Sequence, residues 1–411
     1  MTTPSLCDAL RVYTRIGLLS FGGPAGQIAL MQDELVTRRN WIEGDAFQRG
    51  LNVAMILPGP EAQQLATWLG WRLHGVSGGL AAGLAFILPG TALMILLAFI
   101  AAVYGETRLV SAIFFGIQPA VLVIVARAVW ALANRSLKSP PAWALAVLAF
   151  LGIFAAGLPF PLIVALAALA GLALPRGAEA SPDGATPVTL RHAGQVLAVG
   201  GAIILAMAVL VELGAGRDPF RGVAILFTSA AFVSFGGAYA LLPYVADRAV
   251  ETYGWLSAAE MLNGLAIAEA TPGPLILVNV YAGYFAGFSA EGGGGAALGV
   301  GTAMLACFYT FAPSFMMILA AAPYVEAIQR VGWVRRALTG VSAAVVGVVL
   351  NLAVYLTEAS IFAQGWLAPD PVKLALLAAF ATLSIWRNPP MTTMVGLGAA
   401  AGLVLTLVGA I

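Results

Sequence analysis

Charged residues are scarce in this chain. Asp, Glu, Lys and Arg make up only 9% of its 411 residues, whereas 61% of the residues are hydrophobic. Because about a quarter of the residues in a soluble globular domain are charged, this composition excludes a water-soluble fold. The formal net charge of +1 also provides no basic surface for nucleic acid, so we expect no nucleic-acid partner.

Histidine and cysteine are nearly absent. The two histidines show no metal-ligand spacing, and the two cysteines, Cys7 and Cys307, lie far apart. These residues therefore predict neither a zinc site nor a disulfide framework. The chain also lacks a P-loop and a dinucleotide-binding fingerprint. We accordingly predict a protein without metal or cofactor that is neither an enzyme nor an ATP-driven pump.

Long apolar runs dominate what is present. A helix of roughly 20 apolar residues crosses a hydrocarbon core of about 30 Å, and several runs reach this length, for example those near 76–103 and 109–133. Inside lipid the backbone must satisfy its own hydrogen bonds, which leaves helices or closed barrels. Since the runs are rich in Leu, Ala and Val, we predict an all-α polytopic membrane protein whose first partner is the lipid bilayer.

The chain contains an internal duplication. Ser20-Phe21-Gly22-Gly23 recurs 214 positions later as Ser234-Phe235-Gly236-Gly237, and Pro58-Gly59-Pro60 recurs at the same offset as Pro272-Gly273-Pro274. After a Gly-rich insert the offset becomes 224, so that Gly116 matches Gly340. We predict a first repeat at 1–175, a linker and connecting helix at 176–213, and a second repeat at 214–411. The extra helix between them favours an inverted arrangement of the repeats.

Each Pro-Gly-Pro triplet interrupts an apolar run and predicts a broken or re-entrant helix. Pro60 and Pro274 suit the first position of a new helix, where a missing N–H costs nothing. The new helix then directs free N–H groups and the positive end of its dipole at the break, which favours an anion. Gly22-Gly23-Pro24 predicts a similar turn.

Polar side chains accompany these breaks. Gln27 and Gln63 each lie one turn into a new helix of the first repeat, whereas the second repeat has Leu at both positions and contributes Asn279 instead. The alternative is that Gly and Pro here only permit close packing or kinks. The predicted substrate-binding residues are Gly22, Gly23, Pro24, Gln27, Pro58, Gly59, Pro60, Gln63, Gln64, Gly236, Gly237, Pro272, Gly273, Pro274 and Asn279.

Ionisable residues in apolar stretches are costly and indicate function by default. Glu61 and Glu269 each lie within a turn of a Pro-Gly-Pro break, and either could carry a coupled proton or simply bond the broken backbone. A charged Glu61 would need Arg49, Arg72 or a proton beside it. Arg127 is a further candidate for charge compensation. The alternative is that its long side chain extends to the nearby polar end of its span.

The motifs resemble those of the chromate ion transporter (CHR) family, in its long, two-domain bacterial form. The resemblance covers nearly the whole chain. It rests on Phe21 to Met31, Trp41, Leu57 to Ala66, Gly78-Gly79-Leu80, Phe235 to Tyr239, Trp255 and Ala268 to Ile276.

The resemblance implies a secondary transporter in the cytoplasmic membrane that exports chromate and confers chromate resistance. Chromate is a tetrahedral dianion, which helix N-termini, amides and one or two arginines can hold. A carrier for sulfate or another oxyanion and an anion channel remain alternatives. Proton coupling and assembly as a homodimer are also left open.

Overall fold

The computed structural model describes residues 4–21, 23–173, 191–214, 218–235, 238–290, 293–328 and 332–411. Within these ranges the regular structure is helical throughout, as predicted. Five helical stretches of the described chain are long and apolar enough to cross a membrane: Glu61–Tyr104, Arg108–Ser136, Arg191–Leu213, Ala296–Tyr324 and Gly332–Ile361. The predicted linker lies largely in residues 174–190, outside the described ranges, so the predicted repeat boundaries stay predictions.

The first repeat is built from seven labelled helices and one π-helical turn in the described chain. They are α1 (Leu6–Leu19), α2 (Gly23–Gln32), a π-helix (Asp33–Arg38), α3 (Gly44–Ala54), α4 (Glu61–Tyr104), α5 (Arg108–Ser136), α6 (Pro140–Phe154) and α7 (Phe160–Leu172). The connecting helix α8 (Arg191–Gly214) follows.

The second repeat follows the same order. It comprises α9 (Phe220–Val233), α10 (Ala238–Ala246), a π-helix (Asp247–Thr252), α11 (Ala258–Ala270), a 3-10 turn (Leu275–Leu277), α12 (Val278–Phe288), α13 (Ala296–Ala321), a 3-10 turn (Ala322–Tyr324), α14 (Val325–Ile328), α15 (Gly332–Ile361), α16 (Pro371–Arg387) and α17 (Met391–Leu407). Even the π-helices correspond, because Asp33 and Asp247 begin them at the sequence offset of 214.

Helix α4 is a hairpin rather than one continuous span. His74 and Gly75 have non-helical dihedral angles, and Gly75 has a φ of +65°. Beyond this turn the two arms pack side by side, since Gly70 lies against Gly78. The second arm, residues 76–104, corresponds in the duplication to α13.

The counterpart helices of the two repeats run antiparallel. Thr91 of α4 contacts Cys307 of α13, with 3.5 Å between Oγ1 and Sγ. Gly79 of α4 lies against Leu319 of α13. Residue numbers thus fall along α13 as they rise along α4. Equivalent spans that cross in opposite directions are the arrangement of an inverted repeat, as the extra helix predicted.

The repeats exchange their terminal hairpins. Helices α6 and α7 of the first repeat pack on α15 of the second, while α16 and α17 pack on α5 of the first. Glycines form both contacts, with Gly340 against Gly171 and Gly116 against Gly402. Such small residues let helix backbones approach closely. The two repeats are therefore interlocked rather than separate bundles.

This packing predicts that Gly402→Ala lowers stability. A Cβ atom at Gly402 would overlap the carbonyl oxygen of Ala112 in α5, and overpacking costs about 1–3 kcal/mol. Gly396 lies on the same helix and is exposed, and a Cβ atom there would enter open space. Gly396→Ala should therefore be neutral or slightly stabilising, since Ala favours helix. Thermal unfolding of the two variants in detergent measures the difference, and equal melting temperatures would contradict the packing argument.

Candidate functional site

Two equivalent turns end the first helix of each repeat. Ser20 (φ −78°, ψ 66°) and Ser234 (φ −77°, ψ 66°) share one conformation. In both turns the next residue's N–H, that of Phe21 or Phe235, bonds back to the carbonyl two residues earlier at 2.9 Å. This is the inverse γ-turn. It ends the helix abruptly and leaves each serine carbonyl free to accept another bond.

The serine carbonyls bind the helix breaks of the opposite repeat. The Gly59 N–H donates to the Ser234 carbonyl at 2.9 Å, and the Gly273 N–H donates to the Ser20 carbonyl at 3.2 Å. Both glycines adopt positive φ, +128° for Gly59 and +104° for Gly273, which other residues tolerate poorly. The turn of one repeat and the Pro-Gly-Pro break of the other thus form one unit, and this unit occurs twice.

The helices after the breaks begin one residue later than predicted. Pro60 and Pro274 have extended backbone and occupy the N-cap position, so α4 begins at Glu61 and the 3-10 turn at Leu275. The placement of both prolines at the first helical position was wrong, because their ψ values of 109° and 138° are not helical. Neither helix start has a side-chain cap.

The consequence for an anion is unchanged. The first N–H groups of a helix have no intrahelical acceptor, and an uncapped start in apolar surroundings attracts negative charge. In the first repeat Pro24 also lies at a helix start, directly after Gly23, which has a φ of +71° and begins α2.

Two of the three glutamine side chains near the breaks bind the broken backbone. Gln27 Nε2 donates across the repeats to the Gly273 carbonyl, and Gln64 Nε2 donates to the Pro58 carbonyl at 2.7 Å. Gln63 donates to Thr67 at 2.9 Å and accepts from Ser314 Oγ at 2.7 Å. All three glutamines are fully buried. The amide groups of Gln27 and Gln64 therefore supply hydrogen bonds to backbone carbonyls at the breaks, whereas Gln63 links the side chains of Thr67 and Ser314.

Several polar oxygens near the breaks are buried without a hydrogen-bond partner among the described residues: Gln27 Oε1, Gln64 Oε1, Asn279 Oδ1 and Glu269 Oε2. Asn279 uses its other end, donating from Nδ2 to Thr310 Oγ1 at 3.1 Å. Unpaired buried polar atoms are few in native structures, and an ordered water, an ion, local strain or a functional role accounts for them.

Glu269 lies in a polar cluster just before the second break. Its Oε1 accepts a hydrogen bond from the Tyr239 hydroxyl at 2.6 Å. Arg127 exerts its charge on this carboxyl group and is itself fixed at the start of α17, where it donates to the Pro389 carbonyl at 2.9 Å and to Asn388. Arg127 therefore belongs to the Glu269 cluster. Sequence reasoning missed Tyr239, although its position after the second glycine pair was a usable signal.

The arginine beside Glu61 differs from those predicted. Arg135, in the last turn of α5, exerts its charge on Glu61 and lines the same cavity. Arg72 is exposed at the end of the first arm of α4, and Arg49 is half-exposed in α3. Arg135 is distant from Glu61 in sequence and is brought close by the packing of α5. The expectation that Arg49 or Arg72 compensates a charged Glu61 stays a prediction.

The predicted site residues fall into three groups. Gly22, Gly236 and Gly237 lie outside the described residues. The two breaks, the glutamines and the turn at Gly23-Pro24 lie together. The turn of the first repeat contacts the break of the second, because Ser20 and Gln27 both bond to Gly273. Arg49 and Arg72 lie on the helices that precede and follow the first break, in α3 and at the end of the first arm of α4.

The comparisons with known proteins identify the family. The family model described as chromate transporter matches residues 7–172 and 222–403, which lie within the two predicted repeats. The chain belongs to the chromate transporter family. No solved structure matches it.

Individual relatives in this family match along nearly the full chain. The chromate transport protein of Pseudomonas aeruginosa is 32% identical over 92% of this chain and 86% of its own length. The probable chromate transport protein of Synechococcus elongatus is 25% identical over 97% of this chain and 95% of its own. The chromate transport protein of Cupriavidus metallidurans is 25% identical over 93% of this chain and 90% of its own length. Family membership and the apolar spans indicate a multi-pass membrane transport protein rather than an enzyme.

The cross-repeat break predicts a large effect of Gly59→Ala. A side chain at φ +128° is strained, and a Cβ atom would meet Gln64 Nε2 and Ser314 Oγ, each at 2.6 Å. Backbone strain of this kind costs about 1–3 kcal/mol. We expect a lower melting temperature and loss of transport. Gly44→Ala, at an open position that begins α3, is the control. Wild-type behaviour of Gly59→Ala in both measurements would refute the role assigned to this break.

Proposed function

We propose that this protein is a secondary transporter that exports chromate across the cytoplasmic membrane and thereby confers chromate resistance. The family and the names of its relatives support chromate as the substrate. The observation that carries the proposal is the pair of uncapped helix starts at breaks shared between inverted repeats.

The chemistry of these breaks suits a tetrahedral oxyanion. Uncapped N–H groups and the helix dipole attract negative charge without a dense cluster of cations. A moderate field of this kind allows both binding and release. The buried amides of Gln27 and Gln64 can supply further contacts when the breaks rearrange, because each Nε2 group has a second N–H besides the one that it donates to a backbone carbonyl.

Alternating access follows from the pairing of the repeats. Each break is joined to the opposite repeat by a backbone hydrogen bond, so a tilt of one repeat against the other changes both breaks together. The swapped hairpins on α5 and α15 provide the more rigid frame for such a movement. A carrier of this design moves one substrate per cycle, whereas an anion channel would conduct continuously.

The driving force is the membrane potential. An inside-negative potential favours anion exit by about 2.3 kcal/mol per charge per 100 mV, and a dianion experiences twice this effect. We expect labelled chromate to accumulate in inverted membrane vesicles that contain the protein. This accumulation should disappear when the membrane potential is collapsed. Equal accumulation in vesicles without the protein would refute chromate export. Stronger transport of sulfate would reassign the substrate, and a flux that does not saturate would favour a channel.

The Glu269 cluster predicts the coupling of a proton. We expect Glu269→Gln to retain transport but to lose its dependence on the pH gradient, because an amide keeps the shape and the hydrogen bond from Tyr239 yet cannot exchange a proton. Uptake into inverted vesicles, with the pH gradient and the potential collapsed separately, measures this. Glu106→Gln, at an exposed position between α4 and α5, is the control. A Glu269→Gln variant with the wild-type pH response would remove Glu269 from coupling.

A further inference from the structure

We propose that Arg135 binds the transported oxyanion beside the first break, and that Glu61, which lines the same cavity, competes with the anion for this guanidinium. The inference rests on the proposed function, which it extends by a substrate-contacting residue that the sequence did not indicate. It assigns Glu61 the role of an internal competitor for the anion.

Arg135 and Glu61 line one small cavity between the first break, α5 and α15. The cavity has a volume of about 50 Å³ and is lined by Met55, Glu61, Leu132, Arg135, Ser136, Ser342 and Val345. Two serines thus accompany the charged pair. Because the volume is far below that of a typical small-molecule pocket, binding of the anion requires the first break to move away from α5.

The guanidinium of Arg135 is poorly matched in this arrangement. Its Nη2 donates to the Met55 sulfur at 3.0 Å, and a thioether is a weak acceptor. The planar guanidinium fits two oxygens of a carboxylate or of a tetrahedral oxyanion far better. Arg135 is exposed, whereas Glu61 is half-buried. An arriving anion therefore meets the arginine first and can exchange its weak contact for a strong one.

Glu61 lies where a bound anion would be stabilised most strongly. It is in the first turn of α4, where the helix dipole stabilises negative charge, and it lines the same cavity as Arg135. Its carboxylate therefore uses both interactions that a bound oxyanion would use. A dianion carries more charge and displaces the carboxylate. The return of the carboxylate then assists release, which a site made only of positive groups would hinder.

The second repeat shows that this pair is not needed to build a break. At the duplication offsets Glu61 corresponds to Leu275 and Arg135 to Ala359. The second break nevertheless keeps its positive-φ glycine and its bond to the opposite repeat. A pair of residues that served only to support a break would be expected at both breaks. The occurrence of the pair at one break alone fits a function in binding.

The test is the concentration dependence of labelled chromate uptake into inverted vesicles. We expect Arg135→Gln to raise KM roughly tenfold, the effect of losing about 1.4 kcal/mol of binding, with Arg135→Lys intermediate. Glu61→Gln should lower KM severalfold, because the competitor is gone, and should slow the maximal rate, because release is no longer assisted. In the double variant Glu61→Gln with Arg135→Gln, the Glu61 effect on KM should disappear.

The control is Lys138→Gln, which removes one exposed positive charge three residues beyond Arg135 and outside the cavity. Its KM should equal that of the wild type. A KM unchanged in both single variants, with normal protein levels, would overturn the inference while uptake by the wild type upholds chromate transport. A variant that fails to fold is replaced by Arg135→Lys, which keeps the charge and loses the planar fork. If KM is unchanged in both Arg135→Lys and Glu61→Gln, the inference is likewise overturned.

Discussion

Every backbone hydrogen-bonding group inside a membrane protein needs a partner, because lipid supplies none. A helix broken at Pro-Gly-Pro exposes such groups on both sides of the break. Here each break finds a partner on the other repeat, with the Gly59 N–H on the Ser234 carbonyl and the Gly273 N–H on the Ser20 carbonyl. Neither repeat can therefore complete its break alone, and the fold depends on their being paired.

The paired frame is symmetric, but its polar side chains are not. The first repeat contributes Gln27, Gln63 and Gln64, whereas the second contributes Tyr239 and Glu269. A symmetric frame joins the two breaks in the same way, so that a tilt of one repeat against the other changes both of them. Different side chains at the two breaks then allow one to serve the anion and the other to serve a proton. We regard this division as the functional result of divergence after duplication.

The parts that hold the frame together differ chemically from the breaks. The swapped hairpins meet the long helices through glycines at van der Waals distance, such as Gly116 against Gly402 and Gly340 against Gly171. Close backbone packing is stiff because it leaves no room for adjustment. The breaks instead depend on single hydrogen bonds and on side-chain amides whose nitrogen donates a hydrogen bond while their oxygen has no partner among the described residues. Movement is therefore expected at the breaks, against a rigid outer frame.

The sequence by itself determined the helical membrane fold, the duplication, the positions of both breaks and the presence of Glu61 and Glu269 beside them. These features depend on composition and on local chemistry, since Pro and Gly interrupt helices wherever they lie. Only the tertiary structure decided that each break is completed by the opposite repeat, that Arg135 lines one cavity with Glu61, and that Tyr239 bonds to Glu269. Those pairings join residues that are distant along the chain, and the packing of whole helices, which no local pattern encodes, brings them together.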